Sequence, residues 1–140
     1  MKDTENLHKH VQEMVDCYAT TDPLREMSVL KNDVDRNEAA VKWLALAALH
    51  GVNQNASKIT IQRDKENRVT VVAEYRDTEL PSPGTDVGDR IFAAVREMTH
   101  IEGEKGKTAF ALGMRDSSLD LQVKVKKKDH GEKITLKFPK

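Results

Sequence analysis

The apolar period of this chain changes between His50 and Ile59, and that change limits what it can fold into. Before it, apolar residues recur at helical spacing; after it, they alternate, with one helical interruption. Leu7, Val11, Met14, Val15 and Tyr18 make a single stripe, which predicts a helix from about Glu5 to Ala19 with a strongly charged opposite face. "TTDP" stops it, and Asp22 with Pro23 supplies the N-cap and first residue of a second helix. Leu24, Met27, Leu30 and Val34 keep the helical spacing. Asn32 to Asn37 is poor helix material and bends or breaks the rod; helix resumes at Glu38 and runs to about His50, with Gly51 as a left-handed cap. Trp43, Leu44, Leu46, Ala47, Ala48 and Leu49 leave that last stretch almost no polar face, so it is the expected buried central helix. Aromatic residues are only 4% of the chain, so the core has to come from Leu, Ile, Val, Ala and Met.

Period two then takes over. Ile59 and Ile61 share one face of a strand, and Val69, Val71, Ala73 and Tyr75 share one face of the next, with a polar loop between them. "LPSPG" breaks the pattern, Thr85 or Asp86 caps a third helix, and Val87, Ile91, Val95 and Met98 form its stripe up to Gly103. The strands "KTAFALGM", "LDLQVKVK" and "EKITLKF" follow. The order α-α-β-β-α-β-β-β predicts a two-layer α+β domain spanning 1–140, helical over 1–57 and β-β-α-β-β-β over 58–140. Its sheet is expected to have five strands, mostly antiparallel, with the helices on one face and a polar second face. The connection through the third helix implies one parallel or non-adjacent pairing. Profilin-like and roadblock-like modules share much of this order; the resemblance is one of layout and rests on no residue motif.

Charge is distributed unevenly. Residues 1–57 carry six basic against nine acidic side chains and 58–106 carry eight against ten, whereas 107–140 carry nine against four. A net charge of zero therefore hides a basic C-terminal third. In its last two strands Leu119, Leu121, Val123, Val125, Ile134, Leu136 and Phe138 point one way and most lysines the other, with Asp129, His130 and Gly131 expected in the turn. The lysines are thus the outward half of a hairpin, and exposed lysines on a terminal strand also discourage edge pairing. Lys124, Lys126, Lys127, Lys128, Lys133 and Lys137 still form a cluster able to contact an anionic partner. No arginine or aromatic residue interleaves with them, as a reader of nucleic-acid sequence would need.

Other motifs fail on inspection. "GEKGKT" ends like a phosphate-binding loop, but Ile101 stands where its first glycine belongs, and a helix precedes and a strand follows, the reverse of that motif. Asp33, Asp35 and Asn37 begin like a calcium loop, yet Glu38 replaces the turn glycine and Leu44 the closing glutamate. His8 and His10 are two apart on a helix and point different ways; His50 and His100 sit near helix ends, where the dipole favours a cation. Cys17, at the end of a helix, reads as a small packing residue. Ser117 and Ser118 lack the glycine-flanked elbow of hydrolases, and Asp86 and Asp89 suit the start of a helix.

One cysteine allows no internal disulfide and suits a reducing cytoplasm, and "MKDTENLHKH" has no apolar stretch of a secretory signal. The longest apolar run, Trp43 to Leu49, is far short of the roughly 20 residues a membrane span takes. The expectation is a non-enzymatic cytoplasmic interaction module without metal or cofactor, binding protein partners or a second copy of itself. The alternative is a nucleic-acid-binding domain that uses the lysine-rich face for weak, non-specific contact. An enzyme with a pocket between sheet and helices carries least weight, since no catalytic constellation is legible.

Overall fold

The computed structural model describes residues 2–32, 35–74, 78–114, 117–128 and 131–139, and of residues 2–6, 31, 114, 117 and 128 the backbone alone. Among the described residues, four helices and a six-stranded sheet make up an α+β fold. Helix α1 (Lys2–Tyr18) lays its stripe on the body of the protein, with Val11 and Val15 buried and Leu7, Met14 and Tyr18 packed beside them. Helix α2 (Pro23–Ser28) starts as its sequence dictates: the Asp22 carboxylate accepts the Leu24 N–H at 3.2 Å, and Pro23 follows.

The rod then breaks completely. A single 3-10 turn (Leu30–Asn32) follows α2, and α3 (Arg36–Asn53) begins afresh on Asp35, whose carboxylate accepts the Glu38 N–H at 3.0 Å. The helical part therefore holds three helices where the periodicity read two. Gly51 does not cap α3. It is helical and buried, and its missing side chain admits the Phe138 ring, whose Cζ would lie 2.0 Å from a Cβ there.

Strands β1 (Lys58–Asp64) and β2 (Val69–Ala73) form the expected hairpin; Tyr75 lies outside the described residues. The Asp64 carboxylate ties the loop by accepting the N–H groups of Glu66 and Arg68, both at 2.9 Å. A short sixth strand, β3 (Thr78–Leu80), pairs with β2 where only a break was expected. Helix α4 (Gly84–Thr99) carries no side-chain N-cap. Thr85 instead donates to the Asn67 carbonyl and Asp86 pairs with Arg36, while His100, at φ 60°, ends the helix in the left-handed conformation, three residues before the stop expected at Gly103. Strands β4 (Lys105–Met114), β5 (Ser117–Lys128) and β6 (Gly131–Lys137) complete the chain. Asp129 and His130 of the expected turn lie outside the described residues, whereas Gly131 opens β6 at φ 147° against the Arg63 carbonyl, a site without room for a Cβ.

The strand order is β3-β2-β1-β6-β5-β4, antiparallel throughout its described pairs, so α4 carries the chain from one edge of the sheet to the other. That resolves the expected irregular connection as a non-adjacent one. Alternate residues of β1, β2, β5 and β6 join the buried side chains of α1, α3 and α4 in one apolar cluster. Cys17, expected as a packing residue, is exposed. Among the described residues no helix is long and apolar enough to cross a membrane.

Candidate anion-binding sheet face

Strand β5 lies between β4 and β6, and its register decides which lysines meet. Val123, Val125, Ile134 and Leu136 turn to the core, so the residues between them line the opposite face. Read across the strands, Lys105, Lys126 and Lys133 form one row; Lys107, Lys124 and Thr135 form the next; Gln122, Lys137 and Lys58 belong to a third. Lys124, Lys126, Lys133 and Lys137 of the sequence-derived cluster are thereby brought together on exposed positions. Lys127 goes elsewhere: it stands in register with Glu132, on the core-side parity of β5. Of Lys128 the backbone alone is described, in register with Gly131. Lys105 and Lys107 are exposed additions that the sequence pattern did not flag.

Hydrogen-bond phase makes these rows tighter. The Lys127 N–H donates to the Glu104 carbonyl, so the even-numbered residues of β4 bond to β5 and the odd-numbered ones turn outward. Lys105–Lys126 and Lys107–Lys124 are therefore non-hydrogen-bonded pairs, the positions where opposed side chains lie closest, with Cα atoms about 4.5 Å apart. Among the described residues, no carboxylate stands in register with Lys105, Lys107, Lys124 or Lys133. Like charges directly opposite destabilise a sheet. With Lys133 and Thr135, the four lysines surround a shallow basin of about 390 Å³. Lys58, farther along the sheet, is already paired with Glu74 at 3.2 Å.

A second charged cluster lies on the core side of the same sheet. Glu132 is 6% exposed, and its carboxylate accepts from Arg63 Nη2 at 2.8 Å and Arg96 Nε at 2.7 Å. Arg63 also reaches Asp89 and lies over the Phe92 ring, 4.9 Å from its centroid. Arg96 Nη1 donates to the carbonyls of Ile101 and Gly103. The guanidinium groups are thus committed to holding α4 and its following loop on the sheet. This cluster was legible only as a carboxylate, Glu132, in register with Ile134, Leu136 and Phe138, a position that requires a cation partner.

A groove of about 610 Å³ between α1, α3 and α4 gathers His10, Asp35, Glu38, Arg90 and Glu97 over an apolar floor. Its polar groups serve one another. His10 Nε2 contacts both Glu38 oxygens at 2.8 and 2.9 Å, Asp35 caps α3, and Arg90 donates to Asn37 at 3.4 Å. His8 points away from His10, its Nε2 2.7 Å from the Ala111 carbonyl. Among the described residues no group of three or more His, Cys, Asp or Glu is arranged to hold a metal ion.

The Glu38 hydrogen bond raises the His10 pKa, against a smaller opposing effect of burial. A raised folded-state pKa gives a contribution fully present below the ordinary value of 6.5 and lost as pH rises through the raised one. Burial lowers the pKa of His50, although Asp22 works against it; that histidine is not the helix-end cation expected, and it costs stability as pH falls. The His10 contribution is isolated by comparing wild type with Glu38→Gln. In urea denaturation the gap between them is expected to be full below the ordinary value of 6.5 and to close as pH rises through the raised pKa. Both side chains are more than a third exposed, so the gap should not exceed about 1 kcal/mol. A gap that widens with pH would show that the pair is not a charged one.

No protein-family model matches the chain, and no curated protein does.

Proposed function

We propose that this protein is a non-catalytic interaction module that docks an acidic protein surface on the lysine rows of β4, β5 and β6. The observation behind this reading is the pairing of Lys105 with Lys126 and of Lys107 with Lys124 at the closest cross-strand positions. Like charges directly opposite one another destabilise a sheet, and an anionic partner offsets that on binding. The face carries lysines as separate point charges, without guanidinium forks or aromatic platforms, which suits carboxylates spread over a surface better than stacked bases. The reading takes the chain as a single two-layer domain, with helices on the sheet's other face, working in the cytoplasm. Nucleic acid is the alternative partner, and its contact is expected to be non-specific and weaker than about 10⁻⁶ M at physiological salt.

The test is a titration of labelled Asp/Glu-rich peptides, duplex DNA and single-stranded RNA at physiological salt. Wild type is compared with a Lys124→Glu, Lys126→Glu, Lys133→Glu variant. Acidic peptide is expected to bind wild type in a salt-sensitive manner and to lose at least about tenfold in the variant. Tight, sequence-dependent nucleic-acid binding abolished by the same changes would replace the protein-partner reading. Equal binding of acidic peptide by both proteins would remove the lysine face from the account.

A further inference from the structure

Resting on the lysine-face reading, we infer that the acidic partner enters as a β-strand, added along the open half of the β4 edge. β4 is the last strand of the sheet, and its odd-numbered residues turn their N–H and C=O groups outward. Helix α1 has taken the far half of that edge. The Gln12 carboxamide imitates a neighbouring strand at Gly113, accepting its N–H at 2.6 Å and donating to its carbonyl at 2.9 Å. Two residues back, His8 takes the Ala111 carbonyl. Among the described residues no side chain plays that part at Lys105, Lys107 and Ala109, all three exposed, which leaves three outward peptide units for pairing. An uncovered edge is a template for another chain, and the side chains flanking it decide which chain it accepts.

Those side chains select against a second copy. Pairing two β4 edges would set more lysines beside the rows that already contain Lys105 and Lys107. An acidic strand would instead complete the rows, because each row runs across the sheet and ends at this edge. Alternate residues of an extended peptide are about 6.6–6.8 Å apart, the spacing of Lys105 from Lys107 along β4. The occupant is therefore a segment of about five residues with carboxylates at alternating positions and small or uncharged residues between them, its backbone bonded to Lys105, Lys107 and Ala109.

Six peptides built on one amino-acid composition separate backbone docking from charge alone: alternating acidic, contiguous acidic, and each of these N-methylated on alternate residues in each of the two phases. They are titrated against wild type, Ala109→Pro and the triple lysine-to-glutamate variant. Ala109→Pro removes an outward N–H while keeping every lysine, and edge strands tolerate proline there. The alternating peptide should bind wild type about tenfold tighter than the contiguous or N-methylated ones and lose a similar factor in Ala109→Pro. The amides of Lys105, Lys107 and Ala109 should gain protection from hydrogen exchange on binding. If all the peptides bind alike, without amide protection, and only the charge-reversed variant fails, strand addition is wrong and the lysine-face reading stands. If no peptide binds wild type, both fall. The N-methylated peptides keep the outcome decisive even where Ala109→Pro disturbs the fold.

Discussion

Replacing Glu132 with alanine is expected to cost about 3 kcal/mol of folding stability, although the residue is a carboxylate on a strand of the apolar core. The reason is the pair of guanidinium groups left behind. The Glu132 side chain is 5% exposed and holds Arg63 and Arg96, each only 23% exposed, with one oxygen apiece. Losing one partner of a buried pair typically costs about 3–5 kcal/mol, because the remaining charge stays desolvated; partial exposure of both arginines places this case at the low end. Arg96 has little slack to recover with, since its Nη2 is buried without a hydrogen-bond partner among the described residues. A triple variant, Arg63→Met, Glu132→Leu, Arg96→Met, is expected to return to within about 1 kcal/mol of wild type, as apolar replacements of buried ion clusters commonly do. Urea denaturation of both proteins measures the difference. A single-variant loss below about 1 kcal/mol would mean that the cluster is effectively solvated and does not fasten α4 to the sheet.

Local periodicity carried the elements that are long enough to show it. The stripes of α1 and α4, the apolar girth of α3 and the alternation of β5 and β6 all read directly from spacing. What escaped was set by distance along the chain or by brevity. β3 has three residues, Thr78 to Leu80, too few to display a period, and its pairing with β2 is a tertiary event. The start of α4 looked like a Thr85 or Asp86 cap because both residues suit one, but Asn67 and Arg36 claim their side chains. The same helix stops at His100, in the left-handed conformation, three residues before the glycine expected to end it. The same logic applies to the candidate site. Alternation alone separated Lys124, Lys126, Lys133 and Lys137 from the core, whereas Lys127, counted with them, has the core-side parity of β5. Lys105 fell before the expected strand "KTAFALGM", and Lys107, at its start, was not joined to the lysines of the last hairpin. Their meeting with Lys126 and Lys124 depends on a register that no local pattern encodes. Arg63, Arg96 and Glu132 come from three elements far apart in sequence, and only the buried parity of Glu132 hinted at them.

The other large effect is expected at Leu44, in the helix that the apolar pattern singled out as central. Leu44 is 6% exposed and lines a void of about 10 Å³ together with Val11 of α1, Val95 of α4 and Phe110, Leu121 and Leu136 of the sheet. Its side chain therefore joins three helices to three strands, and shortening it opens space that none of them can close alone. Leu→Ala changes at buried sites cost about 2–5 kcal/mol, rising by about 24 cal/mol for each Å³ of cavity that persists. The existing void would merge with the new space, which places Leu44→Ala in the upper half of that range. Leu49→Ala, also 6% exposed, should fall within the range, while Val52→Ala, at 43% exposure on the same helix, should stay within about 0.5 kcal/mol of wild type. Chemical denaturation of the three variants tests the ordering. Equal, small losses at Leu44 and Val52 would move the centre of the core away from α3, and with it the platform that holds the lysine rows in register.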